Sequence, residues 1–126
     1  MLQPGTTRKS LLIVDNSHLI VERLIGMLKE TKAIGIVLTA DNYDEAVMVL
    51  SEKKIDVVFL EINLSGKNGI ELLEFIVKNH PGTKVIMLTN LVSKYYQRLC
   101  KNMGAMGFID KSREFDLIPE MLAEIE

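Results

Sequence analysis

Val57-Val58-Phe59-Leu60 is an unbroken apolar run that stops on a single acid, Glu61. A strand with one wet face would alternate polar and apolar residues. A continuous run of this length instead fits a strand covered on both faces, as in a parallel sheet lying under helices. After Glu61 the chain turns small and polar, through Asn63, Ser65, Lys67 and Asn68, with Gly66 and Gly69 as punctuation and a helical pattern opening at Gly69. The stretch therefore carries a carboxylate from the end of a buried strand to the edge of a crevice.

The same unit recurs along the chain. Leu11 to Val14 form a second apolar run, ending on Asp15 and Asn16, and Ile20, Leu24 and Leu28 then fall four apart on a helix that Asn16 or Ser17 can cap. Ile36 to Leu38 predict a short strand, followed by a helix with Ala46, Val49 and Leu50 inward and Asp41 or Asn42 as cap. The helix after Glu61 turns Ile70, Leu73, Ile76 and Val77 inward and stops where Pro81 restricts His80 and Gly82 frees the turn. Val85 to Leu88 make a strand ending in Thr89; the next helix has Tyr96, Leu99, Cys100 and Met103 on one stripe and closes at Gly104. Phe108 and Ile109 form a last short strand ahead of Asp110 and Lys111. The final helix buries Ile118, Met121, Leu122 and Ile125, with Pro119 in its first turn and Asp116 as cap. Strands and helices in strict alternation, with short connections and right-handed crossovers, give an α/β fold: a doubly wound five-stranded parallel sheet with helices on both faces.

At 126 residues the chain is long enough to bury one core without disulfides or metals. The polar head, residues 1–9, reads as a flexible tail before a domain spanning 10–126. A net charge of -2 carries no polyelectrolyte signature, so direct nucleic-acid binding by this chain is not expected. Cys100 is the only cysteine and falls in an apolar helical row, as a reduced core thiol would, which points to the cytoplasm. No apolar stretch approaches the ~20 residues needed to span a bilayer, and no membrane partner is expected. The methionines are most simply core fillers.

In open parallel sheets ligands bind outside the carboxyl ends of the strands. That rule selects Asp15, Asn16, Glu61, Thr89 and Lys111. Two carboxylates, an amide, a hydroxyl and an ammonium suit a hard cation such as Mg²⁺, an anion, or both in turn. The same set also reads as an ion pair that merely neutralises charges at a buried rim. Nucleotide cradles are absent: no G-x-G-x-x-G follows the first strand, and there is no G-x-x-x-x-G-K-[ST]. His18 and His80 lack ligand-spaced Cys or His neighbours, and no G-x-S-x-G supports a nucleophilic serine. No residue is assigned a catalytic role, and the chain does not read as an enzyme.

Taken together, Leu11 to Asn16, Asp56 to Gly69, Val85 to Thr89 and Gly107 to Lys111 resemble the receiver domain of bacterial response regulators, over Ser10 to Glu126. The resemblance implies strand order 2-1-3-4-5, a flavodoxin-like arrangement, and a two-component phosphorelay switch that a histidine kinase sets by phosphorylating an aspartate. It implies that position 61 is the phosphoacceptor position, here Glu61, and that Asp15 and Asn16 stand for the family's acidic pair. Thr89 and Lys111 align with the hydroxyl and ammonium that grip the phosphorylated aspartate. Phe108 aligns with the switch aromatic, and Asn63 with the residue that offers a carbonyl to metal.

Several positions depart from the family pattern. Glutamate adds one carbon–carbon bond, about 1.5 Å, and moves the carboxylate outward. In-line phosphoryl transfer depends heavily on positioning, so the shift should cost it dearly. Asn16 replaces the direct Mg²⁺ ligand and removes a full negative charge, so a Mg²⁺ site built on Asp15, Asn16, Glu61 and Asn63 is expected to be weak. Asn90 follows Thr89 where the family usually has Ala or Gly, narrowing phosphate access, and Ser65 stands where proline is common. These changes together read as an atypical receiver in which Glu61 partly mimics phosphoaspartate, pairing with Lys111 and accepting from Thr89.

The family's output face is its last two helices with strand five, which makes an effector domain, a partner protein or a second copy the expected partner. Lys94, Tyr95 and Arg98 are the interface candidates on that face, whereas the spacing of Tyr96 places it in the core. The residues do not identify a kinase. Three alternatives stand beside this reading: a receiver still weakly responsive to phosphate and Mg²⁺, the regulatory fragment of a DNA-binding transcription factor, and a small phosphate- or nucleotide-handling enzyme.

Overall fold

A computed structural model describes residues 8–125. The elements are β1 (Lys9–Val14), α1 (His18–Leu28), β2 (Ile34–Ala40), α2 (Tyr43–Glu52), β3 (Val57–Leu60), α3 (Gly69–Asn79), β4 (Lys84–Thr89), α4 (Lys94–Asn102), β5 (Gly107–Asp110) and α5 (Ile118–Ala123). The strands form one sheet in the order β2-β1-β3-β4-β5, and every neighbouring pair is parallel.

Each unbroken apolar run divides its side chains between two cores, as period-two geometry requires. Leu12, Val14, Val58, Leu60, Val85 and Met87 face one layer, closed by Ala46 and Leu50 of α2, Leu72, Leu73 and Ile76 of α3, and Cys100 of α4. Leu11, Ile13, Val57, Phe59, Ile86 and Leu88 face the other, closed by Leu24 and Leu28 of α1 and Ile118 and Leu122 of α5. No described helix is long and apolar enough to cross a membrane.

Register places the site. β1 and β3 pair Val14 with Leu60, so Asp15 and Glu61 leave the sheet side by side, and the Glu61 amide donates to the Val14 carbonyl at 3.0 Å. β4 and β5 pair Thr89 with Asp110, and the Lys111 amide donates to the Thr89 carbonyl at 2.9 Å. Local chemistry then fixes the turns. Ser17 caps α1 by accepting from the Ile20 amide, Asn42 caps α2, and Asn68 with Glu71 forms a reciprocal capping box on α3. Gly69 lies so close to Glu61 that a β-carbon there would collide with the Glu61 carbonyl oxygen and sit 2.7 Å from Ile62 Cα.

Several expectations need correction. Val77 is 39% exposed, at the helix margin beside Gly104, and the inward stripe of α3 is Leu72, Leu73 and Ile76. Asp116 does not cap the last helix; it lies in a 3₁₀ turn, Phe115–Leu117, and no side chain caps α5. Pro119 sits in the first turn of α5, where its missing amide leaves no helical bond unmade. β2 is longer than Ile36 to Leu38, because Gly35 and Thr39 interrupt the apolar run within a strand that pairs with β1 from Ile34 to Ala40. Val49, Tyr96, Leu99, Met103, Met121 and Ile125 are only partly buried. β1 begins at Lys9, inside the expected tail, and residues 1–7 of that tail lie outside the described residues.

Candidate functional site

Four of the five strand-end residues meet at the carboxyl edge of the sheet. Asp15, Glu61, Thr89 and Lys111 are the buried polar side chains of the described core, exposed by 3%, 7%, 0% and 7%. Burial at this level requires partners for every charge. Lys111 Nζ lies 2.5 Å from Glu61 Oε1 and 2.7 Å from Asp15 Oδ2, so one ammonium bridges both carboxylates. The second Glu61 oxygen, Oε2, accepts from Thr89 Oγ1 at 2.5 Å and from the Asn63 amide at 3.1 Å. Asp15 Oδ1 accepts from the Ser17 amide at 2.8 Å. Asp15 Oδ2 has no aligned hydrogen-bond donor and is met by the Lys111 charge alone.

Opposing effects act on Lys111. Burial draws its pKa down, but the close contacts and charges of Asp15 and Glu61 outweigh burial and hold it above its ordinary 10.5. The ammonium therefore stays protonated through the physiological range. Thr89 is held from both sides, since its Oγ1 donates to Glu61 and accepts from the Leu91 amide at 3.1 Å.

The other site candidates are placed differently. Asn16 is exposed beside the cluster and is not a partner of either carboxylate; Asn63 enters through its backbone amide. Phe108 is half-buried on β5 against the core layer of α2, α3 and α4. Lys94, Tyr95 and Arg98 lie exposed on α4, with Tyr95 at 68%, and a groove of about 450 Å³ runs past Arg98, Lys101, Met106 and Phe108. The sequence reading did not include Ser112, whose Oγ donates to Asn90 Oδ1 at 2.7 Å. Its adjacency to Lys111 was the only available signal. Among the described residues no group of three or more His, Cys, Asp or Glu is set to hold a metal ion.

Comparison with known proteins agrees with the fold. The chain is 28% identical over 108 residues to the transcriptional regulatory protein LnrK of Bacillus subtilis, covering 86% of this chain and 49% of that protein. It is 33% identical over 100 residues to a putative transcriptional regulator of Pseudomonas aeruginosa, covering 79% and 48%. It thus spans about half the length of the curated relatives it matches. Among solved structures, a response regulator from Thermotoga maritima superposes with a TM-score of 0.83 at 27% identity, covering 94% of this chain and 97% of that one. The family model described as the response regulator receiver domain matches residues 11–123, which takes in every strand-end residue of the cluster, and the chain belongs to that family.

Proposed function

We propose that this receiver is atypical: Glu61 occupies the phosphoacceptor position and partly takes the place of phosphoaspartate, so the signalling surface is set with little dependence on phosphorylation. The observation that carries the reading is the bridge Thr89–Glu61–Lys111, in which both carboxylate oxygens of Glu61 engage the residues that the family resemblance assigns to gripping a phosphoryl group. The mimicry is partial. A phosphoryl group brings about -1.5 to -2 charge and three acceptor oxygens, against -1 and two for a carboxylate. A few kcal/mol of differential contact is nevertheless enough to bias a two-state element.

The residues present do not fit the Mg²⁺ that the family implies. Mg²⁺ needs hard oxygen ligands in near-octahedral order, including one or two carboxylates. Here Asp15 and Glu61 already share the Lys111 ammonium, and position 16 supplies a neutral amide. The oxygen left without a hydrogen-bond donor, Asp15 Oδ2, lies 2.7 Å from that ammonium, and like charge repels a divalent ion there. Phosphoryl transfer that needs the metal is correspondingly impaired.

The exposed basic and aromatic residues Lys94, Tyr95 and Arg98 are the contact points for an effector domain or partner protein, and the cytoplasm is the compartment in which such a receiver works. The names of the transcriptional relatives favour an output partner that regulates transcription. The test is NMR of the amides of Thr89, Phe108 and Lys111 during titration with Mg²⁺ and beryllofluoride. Unchanged shifts are expected. A saturable shift centred on the crevice overturns the reading and returns the chain to the ordinary phosphorelay class.

A further inference from the structure

The loop between β4 and α4 is tied down at every residue. The Leu91 amide donates to Thr89 Oγ1, Gln97 Nε2 donates to the Val92 carbonyl at 2.7 Å, and Ser93 Oγ accepts from the Tyr96 amide at 3.2 Å. These three ties are local. The fourth is not: Ser112 Oγ reaches across from the loop after β5 to Asn90 Oδ1, 2.7 Å away and 22 positions earlier in the chain. The loop that offers this hydroxyl is itself fixed. Asp110 Oδ1 accepts from the Ser112 and Arg113 amides, and Glu114 Oε1 accepts from the Asp110 amide.

Asn90 directly follows Thr89 and Ser112 directly follows Lys111, so their bond lies one residue outside the Glu61 bridge and spans the same two strands. We propose that Asn90 and Ser112 are positioning residues forming a latch that joins the β4–α4 loop to the β5–α5 loop. The latch holds the first residue of the β4–α4 loop against the β5–α5 loop, outside the backbone bond that already joins Lys111 to Thr89. This goes beyond the Glu61 reading, because neither latch residue bonds to Glu61.

Both partners are exposed and compete for water, so the effect to be read is small but specific. Hydrogen exchange of the Leu91 amide, followed by NMR, reports opening of the loop. Ser112→Ala and Asn90→Ala should each speed that exchange by roughly two- to thirteen-fold, the factor corresponding to one net hydrogen bond. The double variant should be no faster than either single one, the non-additivity expected of a shared bond. Ser112→Thr keeps the hydroxyl and should keep exchange slow, near the parent value. Unchanged exchange in the single alanine variants, or multiplied effects in the double, overturns the latch. Neither result bears on the beryllofluoride response, so the two proposals fail separately.

Discussion

Removing the Lys111 ammonium leaves Asp15 and Glu61 facing one another at a buried rim with no cation between them. Breaking a buried pair by deleting one partner costs about 3–5 kcal/mol, because the remaining charge stays desolvated. Lys111→Met should lose stability in that range in urea unfolding at neutral pH. Glu61→Gln should cost less, since the amide oxygen still accepts from Thr89. The pH dependence has a definite sign. Lys111 has a folded pKa above its unfolded value, so its contribution is fully present below the unfolded pKa and is lost as pH rises through the folded one. Stability should therefore fall on the alkaline side of pH 10.5, with a smaller fall in Lys111→Met. Cys100 gives a second test at this scale. Burial pushes its thiol up to about 11, so a disulfide reagent at neutral pH should label it only as fast as the native state opens. The Glu61 and Lys111 contact was legible in the sequence because each residue ends a strand of a recognisable unit. The Asn90 and Ser112 bond was not, since it joins exposed side chains whose meeting depends on loop conformation rather than hydropathy.

At the scale of elements, glycine separates propensity from packing. Gly69 opens α3, and helix propensity alone favours alanine there by about 1 kcal/mol. The added carbon, however, would collide with the backbone of Glu61 and Ile62, which cannot swing aside as a flexible side chain can. Overpacking of this kind costs about 1–3 kcal/mol, so packing outweighs propensity and Gly69→Ala should destabilise, disturbing most the Ile62 amide, which shares a peptide plane with the Glu61 carbonyl. Gly66 makes the opposite case. It has open space around it but a φ of 74°, so Gly66→Ala should lose roughly 1–2 kcal/mol through backbone strain alone and leave the Ile62 amide shift unmoved. NMR of the two variants, with unfolding curves, distinguishes the mechanisms. Helix existence and capping at Ser17 and Asn42 followed from residue chemistry that acts over a few positions. The inward face of α3 was harder to read. Leu72 and Val77 are equally apolar, and only the tertiary placement of the helix decides that Leu72 is buried and Val77 is not. Asp116 misled for a similar reason, because the chain enters α5 through a 3₁₀ turn that the helical period does not reveal.

For the whole molecule, the alternation of apolar runs and helical stripes was enough to fix the layering, and strand order followed once the motifs identified the family. Register then brings Asp15 beside Glu61 and Lys111 beside Thr89, so one sheet edge carries the entire cluster. Any ion binding the folded state alone must stabilise the whole domain, by about 2.7 kcal/mol when its concentration is a hundred times its dissociation constant. At roughly 2–8 °C of melting temperature per kcal/mol across domains of about 60–250 residues, saturation of a Mg²⁺ site is visible as a shift of several degrees. Millimolar Mg²⁺ should leave the parent chain's melting temperature unchanged. Glu61→Asp alone should also give no shift, because Asn16 still withholds the second carboxylate. Asn16→Asp with Glu61→Asp should restore both the thermal shift and phosphorylation by acetyl phosphate, since this pair returns charge and reach together. Two separate defects at one strand-end rim require both repairs. Strong Mg²⁺-dependent labelling of Glu61→Asp alone would place the whole defect in the length of one side chain and remove Asn16 from the account.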